Sequence, residues 1–130
     1  DFSREIGIDP QAIYAYKERG ILYIQKGNLN QAFSDFNKAL ELNPNDTSVY
    51  NNRGNIYSDK GNLKEAISDY TKAIEINPNF AVAYVNRANA YFKNKEYDKS
   101  WEDVHRAEKL GYQVSPEFIE KLKEFLGKDK

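Results

Sequence analysis

A period of 34 residues runs through the chain and leaves it few ways to fold. At this spacing Tyr16, Tyr50 and Tyr84 share a column, as do Arg19, Arg53 and Arg87; Tyr23, Tyr57 and Tyr91; Asp35, Asp69 and Asp103; and Ala39, Ala73 and Ala107. With residue frequencies of roughly 6%, about 0.1 such triple columns are expected by chance in one period. Pro10, Pro44 and Pro78 keep the same spacing, and so do the pairs Gly20 and Gly54, Gly27 and Gly61, and Ala32 and Ala66. A unit this short cannot bury an apolar face alone, so its copies must stack.

Each unit reads as two helices. Tyr16, Gly20 and Tyr23 are separated by four and three residues and share one helical face, and Ala32, Phe36 and Ala39 do the same on the following segment. Gly20 and Ala32 let two backbones approach while Tyr16, Tyr23 and Phe36 fill the space around them. Lys26-Gly27-Asn28 and Lys60-Gly61-Asn62 supply turns, because glycine accepts the left-handed conformation that ends a helix. Asn43-Pro44 and Asn77-Pro78 separate one pair from the next. Helices are therefore expected near residues 11–26, 30–42, 46–60, 64–76, 80–94 and 98–110, with ends good to about two to four residues. A seventh is expected over 115–126, with Ser115 as N-cap and Pro116 in the first turn. Its face of Phe118, Ile119, Leu122, Phe125 and Leu126 would cover the last pair, leaving Glu117, Glu120, Lys121, Lys123 and Glu124 to water.

These residues resemble the tetratricopeptide repeat family, whose pattern is W-x2-L-G-x2-Y followed by Ala, an aromatic and Pro. The first unit reads Tyr16-x2-Arg19-Gly20-x2-Tyr23, then Ala32, Phe36, Ala39 and Pro44; the second reads Tyr50-x2-Arg53-Gly54-x2-Tyr57, then Ala66, Tyr70, Ala73 and Pro78. The third departs, with Ala88 for the glycine, Ser100 for the alanine, Val104 for the aromatic and Tyr112 where proline would fall, as a terminal repeat does. The resemblance implies an all-α fold: a right-handed α-solenoid of three helix-turn-helix units, near 13–46, 47–80 and 81–114, plus a C-terminal capping helix near 115–126, in one domain spanning 1–130. Residues 1–12 read as the remnant of a preceding repeat, since Ile6-Gly7-Ile8-Asp9-Pro10 takes the register of Ile74-Glu75-Ile76-Asn77-Pro78. With methionine absent and Asp1 first, upstream repeats in a longer protein are the expectation.

The resemblance also implies a scaffold for protein–protein interaction, with the first helix of each pair lining a concave groove. That face presents Tyr14, Lys17, Glu18, Ile21, Ile24 and Gln25 in the first unit. In the second it presents Ser48, Asn51, Asn52, Asn55, Ser58 and Asp59, and in the third Val82, Val85, Asn86, Asn89, Phe92 and Lys93. The chemistry runs from mixed, through polar, to apolar and aromatic. An asparagine amide both donates and accepts, so Asn52, Asn55, Asn86 and Asn89 suit the backbone of an extended peptide, while Tyr14, Val82, Val85 and Phe92 would select its side chains. Chaperone-binding members of the family grip a terminal carboxylate with a clamp of basic and asparagine side chains. Lys17 and Asn52 match clamp positions by register, but Ile21, Val82 and Asn86 stand where an asparagine and two further polar or basic groups are needed. The expected ligand is thus a peptide or helical segment of a partner protein. The alternative is a structural role, in which the units self-associate as a homo-oligomer or stack within a longer array.

Other chemistries find no address. Charged residues make up 30% of the chain with a net charge of −1, so no basic field exists to collect nucleic acid. Cysteine is absent and His105 is the only histidine, which removes thiol nucleophiles, disulfides and the usual zinc sets; no metal or cofactor is expected. No apolar run approaches the roughly 20 residues that cross a bilayer, so no membrane insertion is expected. Neither a phosphate loop nor a nucleophile elbow occurs. The recurrent Arg and Asp columns read as ion pairs that set the stacking register, since catalysis needs one distinctive site rather than three copies. The six column tyrosines are expected to be buried, and Trp101 to fill space near the seventh helix. The first residues lack the basic-then-apolar pattern of a secretory signal; the compartment is left open, with a cytoplasmic setting favoured.

Overall fold

The computed structural model describes residues 9–127, and among them it contains seven helices and no strand. They are α1 (Pro10–Gln25), α2 (Leu29–Leu42), α3 (Thr47–Asp59), α4 (Leu63–Ile76), α5 (Ala81–Lys93), α6 (Tyr97–Lys109) and α7 (Pro116–Leu126). Each end lies within one residue of its sequence expectation. The remnant expected at Ile6 and Ile8 falls outside the described residues.

Three helical hairpins, α1/α2, α3/α4 and α5/α6, stack through α2 on α3 and α4 on α5, and α7 lies against α6. Gly27 and Gly61 take φ of 79° and 81° in the hairpin turns, where a side chain would be strained. Lys95 fills the same place in the third hairpin at φ 64°. Between hairpins, Asn43 and Asn77 adopt extended backbone before proline, as steric contact with the proline ring demands. Each then accepts a hydrogen bond at its side-chain oxygen from the amide of Asn45 or Asn79, at 3.2 and 3.1 Å, turning the chain into the next helix.

Within a hairpin the helices meet at a glycine. A β-carbon placed on Gly20 would sit 2.7 Å from Cε1 of Phe36, and one on Gly54 would sit 2.7 Å from Cε1 of Tyr70. Phe36 and Tyr70 are buried, so neither ring has room to retreat. The third hairpin solves the same problem with other residues: Ala88 and Val104 hold these register positions, both buried in one cluster. A methyl gained on one helix is balanced by a ring lost from the other. Ser100 replaces the alanine without leaving an orphan, because its buried hydroxyl donates to the Ala88 carbonyl at 2.8 Å. Ala88 and Val104 are thus a compensated pair.

The arginine columns do more than pair. Arg19, Arg53 and Arg87 each fork onto a buried carboxylate of their own hairpin: Nε donates to Asp35, Asp69 or Asp103 at 2.8 Å, and Nη2 to the same carboxylate at 2.7, 2.8 and 2.8 Å. Nη1 of Arg53 reaches back to Asn37 of the first hairpin at 2.9 Å, and Nη1 of Arg87 to Thr71 of the second at 3.0 Å. The guanidiniums also lie 5.6–5.8 Å from the column tyrosine rings on either side. This corrects the expectation of six buried tyrosines: only Tyr84 is buried, and the other five are partly so. They flank a cation that needs one wet edge, and a phenol remains polar at its tip.

At α7 the expected apolar face forms in part, with Leu122 buried and Phe118, Ile119 and Leu126 packed on the terminal cluster beside Trp101, whereas Phe125 stacks on Tyr97 at its edge and stays 57% exposed. Ser115 stands at the N-cap but bonds no helix amide; its hydroxyl donates to Glu117 at 2.9 Å.

Two consequences are measurable. Gly20→Ala should destabilise by about 1–3 kcal/mol through overpacking and Phe36→Val by about 2–3 kcal/mol through a cavity. The double variant, which copies Ala88 and Val104, should lose at least about 0.5 kcal/mol less than their sum in denaturant unfolding. Arg53→Ala should cost about 3–5 kcal/mol by stranding the buried Asp69 carboxylate, whereas Arg19→Ala should cost clearly less, because the Arg19 side chain is 58% exposed against 21% for Arg53.

Candidate ligand-binding cleft

A cleft of about 700 Å³ opens across the first helices of the hairpins. Asn52, Asn55 and Asp59 follow one another at helical steps along α3, and Asn86, Asn89 and Lys93 do the same along α5, so each trio faces one way. Ile21, Ile24 and Gln25 of α1 close one side, with Leu29 of α2 and Ile56 of α3 completing an apolar wall. Tyr70 of α4 forms part of the floor.

The amides are already engaged on their protein sides. Asn55 Oδ1 accepts from the Tyr70 hydroxyl at 2.5 Å. Asn86 Nδ2 donates to Asn51 Oδ1 at 3.0 Å, and Asn89 Nδ2 donates to the Val85 carbonyl at 3.1 Å. Burial, assisted by the carboxylates of Asp59 and Asp69, pushes the Tyr70 hydroxyl well above the ordinary phenol range, so it stays protonated.

Of the candidates read from the sequence, the cleft brings together Asn52, Asn55, Asp59, Asn86, Asn89 and Lys93. The other five lie elsewhere. Asn51 is buried and braces Asn86 from behind. Phe92 is enclosed by Tyr97, Phe118 and Phe125, with ring centroids 5.3, 5.4 and 5.4 Å away, because α7 folds over it. Tyr14 and Val82 are exposed but outside the cleft. Lys17 bonds Asp46, the N-cap of α3, at 2.8 Å. The apolar end therefore lies at the first hairpin, opposite to the gradient read along the sequence. Leu29, Ile56 and Tyr70 were not among the candidates; a hydroxyl appearing in the Phe36, Tyr70 and Val104 column was the available signal for Tyr70.

A family profile for the tetratricopeptide repeat matches residues 47–80, a second matches 69–102, and a TPR repeat profile matches 20–61, so that together they cover 20–102 without a gap and reach into each hairpin. The chain belongs to the tetratricopeptide repeat family. Among curated proteins none matches it in sequence. Its fold is that of solved tetratricopeptide domains. The TPR2B domain of yeast Sti1, solved in a pHsp70 complex, superposes with a TM-score of 0.79 at 27% identity, over 92% of this chain and 99% of that one. The first such domain of Spaghetti (RPAP3), bound to the HSP90 peptide SRMEEVD, gives 0.82 at 24% identity, over 92% and 94%. The first domain of human RPAP3 gives 0.85 at 22% identity, over 93% and 97%. The last two likenesses speak for the fold alone.

The pair at the repeat junction has a pH signature. Burial works to raise the Asp46 carboxyl, but Lys17, the Ser48 hydroxyl and the Val49 amide outweigh it and hold Asp46 below the ordinary carboxylate value. A carboxyl lowered in the folded state contributes stability that is full above its unfolded pKa and lost as pH falls through the folded one. Lys17→Met should therefore cost about 1 kcal/mol at neutral pH. The unfolding curves of variant and parent should converge in acid, once Asp46 is protonated.

Proposed function

We propose that this tetratricopeptide protein is an interaction scaffold that holds an extended segment of a partner protein in the cleft. The observation that carries the reading is the row of amides, Asn52, Asn55, Asn86 and Asn89, set beside an apolar wall of Ile21, Ile24, Leu29 and Ile56. Such a surface pairs with a peptide backbone and takes up an aliphatic side chain without demanding charge. The yeast Sti1 domain, solved in a pHsp70 complex, supports a partner-binding use of this fold. Asp59 and Lys93 give the far end of the cleft one charge of each sign.

The bound stretch is internal rather than a free C-terminus. Lys17, the one basic residue at a clamp position, is committed to Asp46, and Ile21 offers a carboxylate nothing. A second reading, self-association through α1, is favoured by one feature. Arg53 and Arg87 each bond the preceding hairpin, whereas among the described residues Ala12, Ala15, Tyr16 and Arg19 line a shallow hollow on the corresponding side of α1.

The test is peptide selection on the native domain, followed by titration against a variant with Asn52, Asn55, Asn86 and Asn89 all changed to Ala. The variant should still unfold cooperatively and lose at least about tenfold in affinity, while amidating the peptide C-terminus should change affinity less than about twofold. Equal recovery by both proteins would refute the groove reading, and a mass that rises with concentration in the absence of peptide would favour self-association.

A further inference from the structure

The hydroxyl of Tyr70 has no packing role, and the chain's own repeats show it. Phe36 occupies the equivalent position in the first hairpin, and its ring approaches Gly20 as closely as the Tyr70 ring approaches Gly54, at 2.7 Å in both cases. Both rings are buried. Phenylalanine thus satisfies the fold at this site, and the extra oxygen must be explained by what it touches. It touches Asn55, on the cleft.

The residue above each ring follows the ring's chemistry. Ile21 shares a column with Asn55 and Asn89, while Phe36, Tyr70 and Val104 share another, fifteen residues after Ile21, Asn55 and Asn89 respectively. Where the ring lacks a hydroxyl, the cleft residue is Ile21; where it bears one, the residue is Asn55. Opposite Val104, Asn89 finds its partner in its own helix, at the Val85 carbonyl.

We propose that Tyr70 is a positioning residue for ligand recognition: its hydroxyl holds Asn55 Oδ1, so that the two N–H bonds of Asn55 face a carbonyl oxygen of the bound segment. This deepens the groove reading and rests on it. The Tyr70 hydroxyl donates to Asn55 Oδ1, so the oxygen of the amide lies on the Tyr70 side. Among the described residues the N–H pair of Asn55 has no protein partner. On α5, Asn86 and Asn89 each spend one N–H within the protein, on Asn51 and on the Val85 carbonyl, which leaves the oxygen and the second N–H of each amide. The cleft thus offers a donor pair at Asn55 and amides on α5 that both donate and accept. A polypeptide backbone carries both complements.

The experiment compares Tyr70→Phe, Asn55→Ala and the double variant, using peptides recovered from a phage-displayed random library on the native domain. Tyr70→Phe should leave the unfolding midpoint little changed and weaken these peptides about three- to tenfold. In the Asn55→Ala background the same change should have no further effect. Side-chain amide NMR signals of Asn55 should move toward solvent-averaged values in Tyr70→Phe without any peptide. Unchanged Asn55 signals, or a Tyr70→Phe penalty that persists in the Asn55→Ala background, would overturn the proposal. If no peptide is recovered, the groove reading fails and takes the ligand contact with it, while the NMR comparison still decides whether the hydroxyl orients the amide.

Discussion

Three buried carboxylates govern this architecture. Asp35, Asp69 and Asp103 lie inside their hairpins, where an unpaired charge would cost several kcal/mol. Each is met by the planar fork of an arginine from the facing helix, and two parallel hydrogen bonds leave little rotational freedom between the helices. The geometry of the fork then has a second effect. With two nitrogens fixed on the carboxylate, the third is aimed at the preceding hairpin, where Asn37 and Thr71 receive it. One electrostatic requirement therefore sets both the closure of a hairpin and its place in the stack.

Around this charge the apolar packing has more than one solution. Glycine under an aromatic ring and alanine beside valine fill the same interhelical space, and the chain uses the first twice and the second once. The third hairpin also carries a buried serine satisfied by a backbone carbonyl and a lysine in a left-handed turn. What the α7 side needs is a terminal cluster rather than another identical unit. Val104, Val114 and Leu122 form it, with Trp101 and Phe118 packed on its edge.

A rigid stack is what the proposed use of the cleft requires. Because α3 and α5 are held in register by the arginines, the amides at Asn52, Asn55, Asn86 and Asn89 face one volume and would lose little freedom on engaging a ligand. The same stacking orients two of them. Partners behind the wall, a phenol behind α3 and an asparagine beside α5, decide which atoms of Asn55 and Asn86 remain available.

Much of this was legible in the linear chain. The period placed every described helix to within a residue, and helical spacing showed which side chains share a face, because both depend on local geometry that each repeat restates. A face, however, does not say what else will approach it. Asn51 became a brace because α5 arrives beside it, Phe92 was covered by an aromatic from α7, and Lys17 was taken by the N-cap of the next hairpin. The Tyr70 hydroxyl entered the cleft from a helix that periodicity assigns to the interior. Availability to a ligand is set by neighbours distant in sequence, and only the packed stack brings those neighbours together.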